Sequence, residues 1–184
     1  MRVIAIITIL LSITEAFAGQ DYIRRFAGRW AGAYQVSTLE GRTIADYPIE
    51  KVYYWIDEQL WGETAVKLPD GSIEIEFSSV RSMDGHLRAE VEGNLGIRRY
   101  VGWMRGNRLW WMNALETPAP HHQLYREHLQ PTPDGFEWIL QGYQWSPDPS
   151  RPEFARIHAR LKRMDDDESF QLFGAPESRD PLDD

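Results

Sequence analysis

Residues 99–115, RYVGWMRGNRLWWMNAL, decide the fold because two aromatic-rich runs flank the turn signal Gly106-Asn107. A two-residue turn between such runs is typical of a β-hairpin. In the predicted pairing, Trp103 lies opposite Trp110. Because side chains alternate between the two faces of a strand, the pairing assigns every residue of the hairpin to one face.

The two faces of this hairpin differ in charge. The uncharged face is predicted to line the interior of a barrel and comprises Tyr100, Gly102, Met104, Leu109, Trp111, Asn113 and Leu115. The other face is predicted to meet water because it holds three arginines, and it comprises Arg99, Val101, Trp103, Arg105, Arg108, Trp110 and Met112. From the first face we predict four ligand-binding residues, Tyr100, Met104, Trp111 and Asn113. Trp103 and Trp110 then form an outer apolar patch, which needs a cover: the N-terminal helix, a protein partner or the second copy of a homodimer.

The same pattern of short strands and turns extends along the body of the chain. Further turn signals are Glu40-Gly41, Asp70-Gly71, Asp84-Gly85 and Asp134-Gly135. Regular short strands with such punctuation predict an all-β, antiparallel up-and-down barrel of about 8–10 strands. Only the segment 20–27 is predicted to be helical, with Tyr22, Ile23 and Phe26 on one side.

A second hairpin is predicted around Asp84-Gly85. The apolar sets of its two strands, Ile73, Ile75 and Phe77 on one and Leu87, Ala89 and Val91 on the other, are predicted to face the core together. This requires a three-residue turn, Met83-Asp84-Gly85, and places Phe77 opposite Val91. The acidic residues Glu74, Glu76, Glu90 and Glu92 are then predicted to face water.

The N-terminus carries the pattern of an export signal. Arg2 precedes an apolar run, Val3 to Leu11, and Ala16-Phe17-Ala18 follows. A basic start, a short apolar region and a small-x-small end are typical of a secretory signal peptide, residues 1–18, with cleavage after Ala18. We therefore expect a periplasmic or secreted protein with no stable membrane anchor after cleavage. The chain has no cysteine, which excludes disulfides and thiolate chemistry.

The negative charge is concentrated at the C-terminus. The 184-residue chain has a formal net charge of -8, which argues against a nucleic-acid partner. From Asp165 onward there are eight acidic residues and one basic residue. We therefore predict a barrel domain over 19–163 and a disordered acidic tail over 164–184.

The run Gly28-Arg29-Trp30 follows the predicted helix and opens the first strand. It resembles the Gly-x-Trp signature of lipocalin-like (calycin) barrels. The resemblance implies that Trp30 closes the barrel floor and that an arginine of the last strand, Arg160 or Arg156, stacks on it. The structural signature would then be Gly28, Trp30 and Arg160.

The longer run, Gly28 to Gly32, also resembles nitrobindin-like haem-binding barrels and their uncharacterised bacterial relatives. That resemblance implies a haem held by a histidine of the last strand, which matches His158. Strand parity opposes this assignment, because His158 alternates with the apolar residues Ile157 and Ala159 and would face water.

No other cofactor is expected. No metal site is predicted either, because His121 and His122 point to opposite faces of a strand and His128 lies too far along it.

Three functions remain open at this point. The aromatic strands favour a small-molecule-binding barrel, a carrier or sensor of a hydrophobic or aromatic ligand. A non-enzymatic accessory or interaction module would use the outer patch of Trp103 and Trp110. A lipocalin-fold isomerase or lyase would need an ionisable lumen group, for which Tyr100 is the candidate, with Tyr34, Tyr53 and Tyr54 as weaker lumen residues. The sequence names no catalytic residue and favours a protein that is not an enzyme.

Overall fold

The computed structural model describes residues 20–83, 85–94, 96–114, 121–146, 153–165 and 168–173. The predicted signal peptide, residues 1–18, and the end of the predicted tail, residues 174–184, lie outside these ranges. Within the described ranges, no helix combines the length and the apolar character that a membrane span requires.

Ten antiparallel strands form one closed barrel, which confirms the predicted fold class. A short helix, α1, covers residues 20–24 and precedes the first strand. The strands are β1 (Gly28–Ser37), β2 (Thr43–Ile56), β3 (Gln59–Lys67), β4 (Ile73–Met83), β5 (His86–Gly93), β6 (Gly96–Arg105), β7 (Arg108–Asn113), β8 (His122–Thr132), β9 (Gly135–Trp145) and β10 (Phe154–Arg163). Each strand pairs with its neighbours in the chain, and β1 pairs with β10 to close the barrel. This architecture is compatible with a lipocalin-like barrel.

The β6–β7 hairpin has the register that the sequence predicts. Trp103 pairs with Trp110 across the Gly106-Asn107 turn, and Tyr100 pairs with Asn113. Of the predicted lumen residues, Tyr100, Trp111 and Asn113 are buried, and Met104 is half-buried against the core. The alternation of side chains therefore assigned both faces correctly for the described residues of this hairpin, and Leu115 lies outside them.

The β4–β5 hairpin differs from the predicted one. Met83 pairs with His86, so the turn between them holds two residues rather than three. Phe77 consequently lies opposite Glu92 and not opposite Val91. Because a shift of one residue moves every side chain of a strand to the other face, the prediction that β4 turns Phe77 to the core is wrong.

Strand β4 presents its polar side chains to the lumen instead. Its pairing with β3 places Val80 opposite Leu60, and both are buried. The residues in phase with Val80 are Glu74, Glu76, Ser78 and Ser82. The exposed residues on the outer face of the strand are Ile73, Ile75, Phe77, Arg81 and Met83. The prediction that Glu74 and Glu76 face water on the outer wall is therefore also wrong.

The end of the barrel next to α1 is closed by apolar side chains. Trp30 of β1 is fully buried, with 0% exposure, and its indole Nε1 donates a hydrogen bond of 2.9 Å to the carbonyl of Phe26. The Phe26 ring packs edge-on against Trp138 of β9 at 4.8 Å between centroids. Tyr22 anchors α1 to the far wall, because its hydroxyl donates to the carbonyl of Asn107. The helix and Trp30 thus form the floor of the barrel.

The arginine that stacks on Trp30 is Arg163, not Arg160 or Arg156. Its guanidinium lies 5.5 Å from the Trp30 ring centroid and donates a 2.8 Å hydrogen bond to the carbonyl of Ala27. The register pairs Trp30 directly with Arg163. Arg160 precedes Arg163 by three residues, an odd number, so its side chain lies on the outer face of β10. There its Nε lies 3.8 Å from the Glu137 carboxylate.

Replacing Arg163 with methionine is expected to lower the free energy of unfolding by about 1–2 kcal/mol, because a cation–π contact and a charge-assisted hydrogen bond are lost. Arg160→Met is the matched control and should stay within about 0.5 kcal/mol of the wild type. Urea unfolding of both variants, followed by tryptophan fluorescence, measures the difference. Equal losses in the two variants would contradict the assignment of Arg163.

Part of the predicted tail lies against the outer wall. The carboxylate of Glu50, on the outer face of β2, accepts hydrogen bonds from the backbone N–H groups of Gln171, Leu172 and Phe173. Arg29 donates to the carbonyls of Asp165 and Glu168 and stacks on the Phe170 ring at 4.2 Å. Residues 168–173 of the segment predicted to be a disordered tail are thus held on the wall beside β1 and β2.

Candidate functional site inside the barrel

The floor of the lumen is packed with aromatic rings. Trp138 of β9 stands at its centre and contacts the edge of Trp30 at 5.7 Å and Tyr53 of β2 at 5.5 Å between centroids. All three side chains are buried. This layer is a packed core that supports the polar groups above it.

A buried carboxyl group and a half-buried ammonium group lie next to this aromatic floor. Glu127 of β8 is 7% exposed, and the register places it between Leu109 and Leu140. The ammonium of Lys51 on β2 lies 4.3 Å from the Trp138 ring centroid. Burial raises the pKa of the Glu127 carboxyl, and the positive charge of Lys51 opposes that rise.

Two tryptophans point unused donors at this carboxylate. The indole N–H groups of Trp111 and Trp138 are near enough to favour the ionised form of Glu127. Both are nevertheless buried without a hydrogen bond of normal geometry. Buried donors normally find partners, so the indole N–H groups of Trp111 and Trp138 are unused donors beside Glu127.

A group of tyrosines forms the layer above. The rings of Tyr100 and Tyr125 meet edge-on at 5.9 Å, and those of Tyr34 and Tyr47 lie 6.4 Å apart between centroids. Burial raises the pKa of the Tyr34, Tyr100 and Tyr125 hydroxyls above its ordinary value. These phenols therefore stay protonated and serve as hydrogen-bond donors; the Tyr100 hydroxyl donates to Gln123 Oε1 at 2.9 Å.

One arginine enters this tyrosine layer. Arg98 of β6 lies opposite Val91 in the strand register. On the lumen side of the wall, its guanidinium forms an ion pair with the carboxylate of Glu76. Its side chain is 14% exposed, and its Nε is buried without a hydrogen-bond partner. Burial disfavours the charge of Arg98, but Glu76 favours it, and the pKa of Arg98 is raised. The lumen thus holds a charged guanidinium with a free donor.

Tyr47 of this layer lines a cavity at the end of the barrel opposite α1. This cavity has a volume of about 590 Å³. Tyr47, Gln144 and Ala155 connect it to the lumen, since all three occupy lumen-facing positions. Leu39, Ile44 and Phe154 form its exposed apolar rim. A small molecule entering here would meet an apolar rim first and polar groups deeper inside.

His158 lies on the outer wall, as strand parity predicts. It alternates with the buried residues Ile157 and Ala159, and it borders an outer cavity with Trp110 and Arg126. Burial, together with the charge of Arg160, lowers its pKa. The last-strand histidine that the haem resemblance implies therefore faces away from the lumen, and His158 does not fit a haem bound inside the barrel. Of the other described histidines, His121 lines the cavity at the end of the barrel opposite α1, and His86, His122 and His128 take outward-facing positions.

The remaining predicted residues fall on both sides of the wall. Tyr34 and Tyr53 face the lumen, whereas Tyr54 is exposed outside. Among the residues that the structure describes, no group of three histidine or carboxylate side chains could hold a metal ion. The outer tryptophans Trp103 and Trp110 stack in parallel at 6.5 Å, and both are half-buried.

Sequence reasoning missed the charged residues of the lumen. Glu127, Lys51 and Arg98 occupy positions in phase with lumen aromatics on their own strands, and Glu76 is in phase with the buried Val80 of β4. That phase is visible in β8, where Tyr125, Glu127 and Leu129 alternate with outward residues. If the lumen performed acid–base chemistry, Glu127 would be a better general acid or base than Tyr100. A rise brings the pKa of a carboxyl group closer to neutral pH, whereas it moves the pKa of a phenol further from neutral pH.

The fold and site together define a closed ten-stranded antiparallel barrel with an aromatic floor and a charged, tyrosine-lined lumen. No protein-family model matches the chain. No curated protein matches it at a significant level either.

Proposed function

We propose that the protein is an exported lipocalin-like carrier or sensor that binds a small amphipathic molecule in the tyrosine-lined lumen. The ligand has an aromatic or hydrophobic body and one anionic group. The observation that carries this proposal is the buried guanidinium of Arg98, whose Nε has no partner. A charge inside a barrel is costly to bury, so its retention favours a role in binding.

Two sets of side chains support this proposal, one for each part of the ligand. The rings of Tyr34, Tyr47, Tyr100 and Tyr125 offer flat apolar surfaces for the body. Arg98 offers charge-assisted hydrogen bonds to a carboxylate, sulfonate or phosphate. Glu76 holds the guanidinium in place and competes with the ligand for it. Removing the Glu76 charge should therefore strengthen the binding of an anion.

Two dyes with the same aromatic body test this proposal. Anilinonaphthalene sulfonate carries a negative charge, whereas phenylnaphthylamine is neutral, and both fluoresce when they leave water. The wild type should bind both and favour the sulfonate. Arg98→Met is expected to weaken sulfonate binding about tenfold or more, since a hydrogen bond to a charged group contributes roughly 1.5–3 kcal/mol. Its affinity for the neutral dye should change by less than about twofold.

The structure supplies matched controls for these variants. Arg99 pairs with Glu90 on the outer wall just as Arg98 pairs with Glu76 inside. Arg99→Met and Glu90→Gln should leave both affinities unchanged, whereas Glu76→Gln should tighten sulfonate binding. Ala155→Trp narrows the mouth and should weaken both dyes. The proposal is wrong if neither dye binds the folded wild type, or if Ala155→Trp leaves both affinities intact.

A further inference from the structure

The outer wall carries three exposed aromatic side chains around one shallow cleft. Tyr54, Trp61 and Phe77 are 53%, 46% and 54% exposed. They line a cavity of about 250 Å³ on the side of the wall away from the lumen. The free energy falls when aromatic side chains leave water. A cluster of them on the surface of a barrel therefore indicates an interaction site.

The strand register builds this cleft around a small residue. Tyr54 pairs with Trp61, and Trp61 pairs with Ser79 of β4. Phe77 precedes Ser79 by two residues and therefore shares its face. Ser79 forms the floor because its side chain is short, and the larger rings stand beside it as walls.

Carboxylates complete the border of the cleft. Phe77 pairs with Glu63 on one side and with Glu92 on the other, and Ser79 pairs with Glu90. All three glutamates line the cavity. Glu90 is neutralised in part by Arg99, whose Nε lies 2.7 Å from its carboxylate. The register places Arg81 opposite Arg88 in the next row, and neither lines the cavity.

We propose that this cleft binds a small organic cation of the quaternary ammonium or methylated amine class. Aromatic faces attract a cation through their quadrupoles, and weakly hydrated alkylammonium groups lose little hydration on contact with them. The glutamates add an attraction that a neutral ligand of the same shape would not feel. A cavity of about 250 Å³ accommodates a trimethylammonium group. The cleft lies on the outer wall, so its function is independent of ligand binding in the lumen.

A pair of isosteric probes tests the charge requirement. Choline contains a trimethylammonium group, and dimethylbutanol replaces its nitrogen with carbon and has no charge. In a titration followed by two-dimensional amide NMR at constant ionic strength, choline should shift the Trp61 indole and the Ser79 amide with millimolar affinity. Dimethylbutanol should bind at least about fivefold more weakly, the ratio that one exposed cation–π contact supplies.

Variants on and off the cleft locate the site. Trp61→Ala is expected to reduce choline affinity about fivefold or more, and Phe77→Ala should do the same if the first variant does not fold. The double variant Glu63→Gln with Glu92→Gln should reduce the preference for choline over dimethylbutanol without abolishing it, because the aromatic faces remain. Trp103→Ala, on the outer wall of β6, is the control and should leave choline binding unchanged.

Two results would overturn the proposal. One is equal binding of choline and dimethylbutanol by the wild type, which would make the cleft a general apolar surface. The other is an absence of shifts at Ser79 and Trp61 at choline concentrations far above the millimolar range. Loss of dye binding in the lumen would not affect either result, because the two sites face opposite sides of the wall.

Discussion

Gly32→Val is expected to disrupt the closure of the barrel and to give the largest loss of stability among single substitutions in β1. Gly32 lies opposite Leu161 at the seam between β1 and β10. A Cβ atom at this position would stand 2.0 Å from the carbonyl oxygen of Arg160 and 2.8 Å from the Cα of Leu161. Both atoms belong to the backbone of β10, so no rotamer change can make room, and the strands must separate.

The expected cost of Gly32→Val is about 3 kcal/mol or more, above the usual range for overpacking, because ladder hydrogen bonds are lost along with side-chain packing. Gly32→Ala should already lose more than about 1 kcal/mol. Urea unfolding monitored by tryptophan fluorescence measures both losses. Ala33→Val, one residue further on the outer face, is the control and should remain near the wild type. A Gly32→Ala variant as stable as the wild type would show that the seam yields easily.

The β6–β7 hairpin could be predicted residue by residue because one physical constraint fixed its register. The Gly106-Asn107 turn holds two residues, and Gly106 adopts the positive φ of 63° that such a turn requires. With the turn fixed, parity assigned Tyr100 and Trp111 to the lumen. The turn sequence and the alternation of side chains along each strand were therefore sufficient to predict which residues of this hairpin face the lumen.

The register of the β4–β5 hairpin was predicted wrongly because the lumen face of β4 is polar. The rule that apolar residues point inward favoured Ile75 and Phe77, but the barrel turns Glu76 and Ser78 inward and leaves Phe77 in water. The turn sequence did not decide between two and three residues. The pairing of β4 with β3 decides it, and that pairing is a tertiary constraint that a hairpin sequence does not contain.

One complete turn was missed for a different reason. Asp57 and Glu58 connect β2 and β3, and they adopt φ angles of 48° and 62°. Glycine and asparagine are the usual residues at these positive angles, so a pair of acidic residues gave no signal. The charged lumen was missed for a related reason: Glu127 and Arg98 break the general preference of charges for water, which is expected at functional sites.

Removing the buried carboxyl group of Glu127 is expected to have the second large effect. Glu127→Leu removes the carboxylate and leaves the ammonium of Lys51 above Trp138 without its counter-charge. Lys51 is half-buried and water screens part of its charge, so the expected loss is about 1–3 kcal/mol. The double variant, Glu127→Leu with Lys51→Met, should recover most of that loss, because no uncompensated charge remains. A double variant with the sum of the two single losses would show that the pair does not interact.

The pH dependence of stability separates the charge of Glu127 from its packing. The folded pKa of Glu127 is raised above its ordinary value of 4.5, so the folded protein holds this proton more tightly than the unfolded chain does. The stability that this proton confers is present in full below about pH 4.5 and is lost as the pH rises through the folded pKa. Most carboxylates in ion pairs give the opposite slope.

Glu127→Gln keeps the shape of the side chain and removes its titration. It should therefore abolish the fall in unfolding free energy with rising pH that Glu127 contributes, and urea unfolding at a series of pH values measures this. Glu90→Gln, on the outer wall, should retain the wild-type profile. If the Glu127→Gln profile matched that of the wild type, Glu127 would titrate equally in both states, and burial beside Trp138 would not penalise its charge. A flattened profile would mean that the lumen can change its charge with pH, because the carboxylate above the aromatic floor gains or loses its proton while the barrel stays closed.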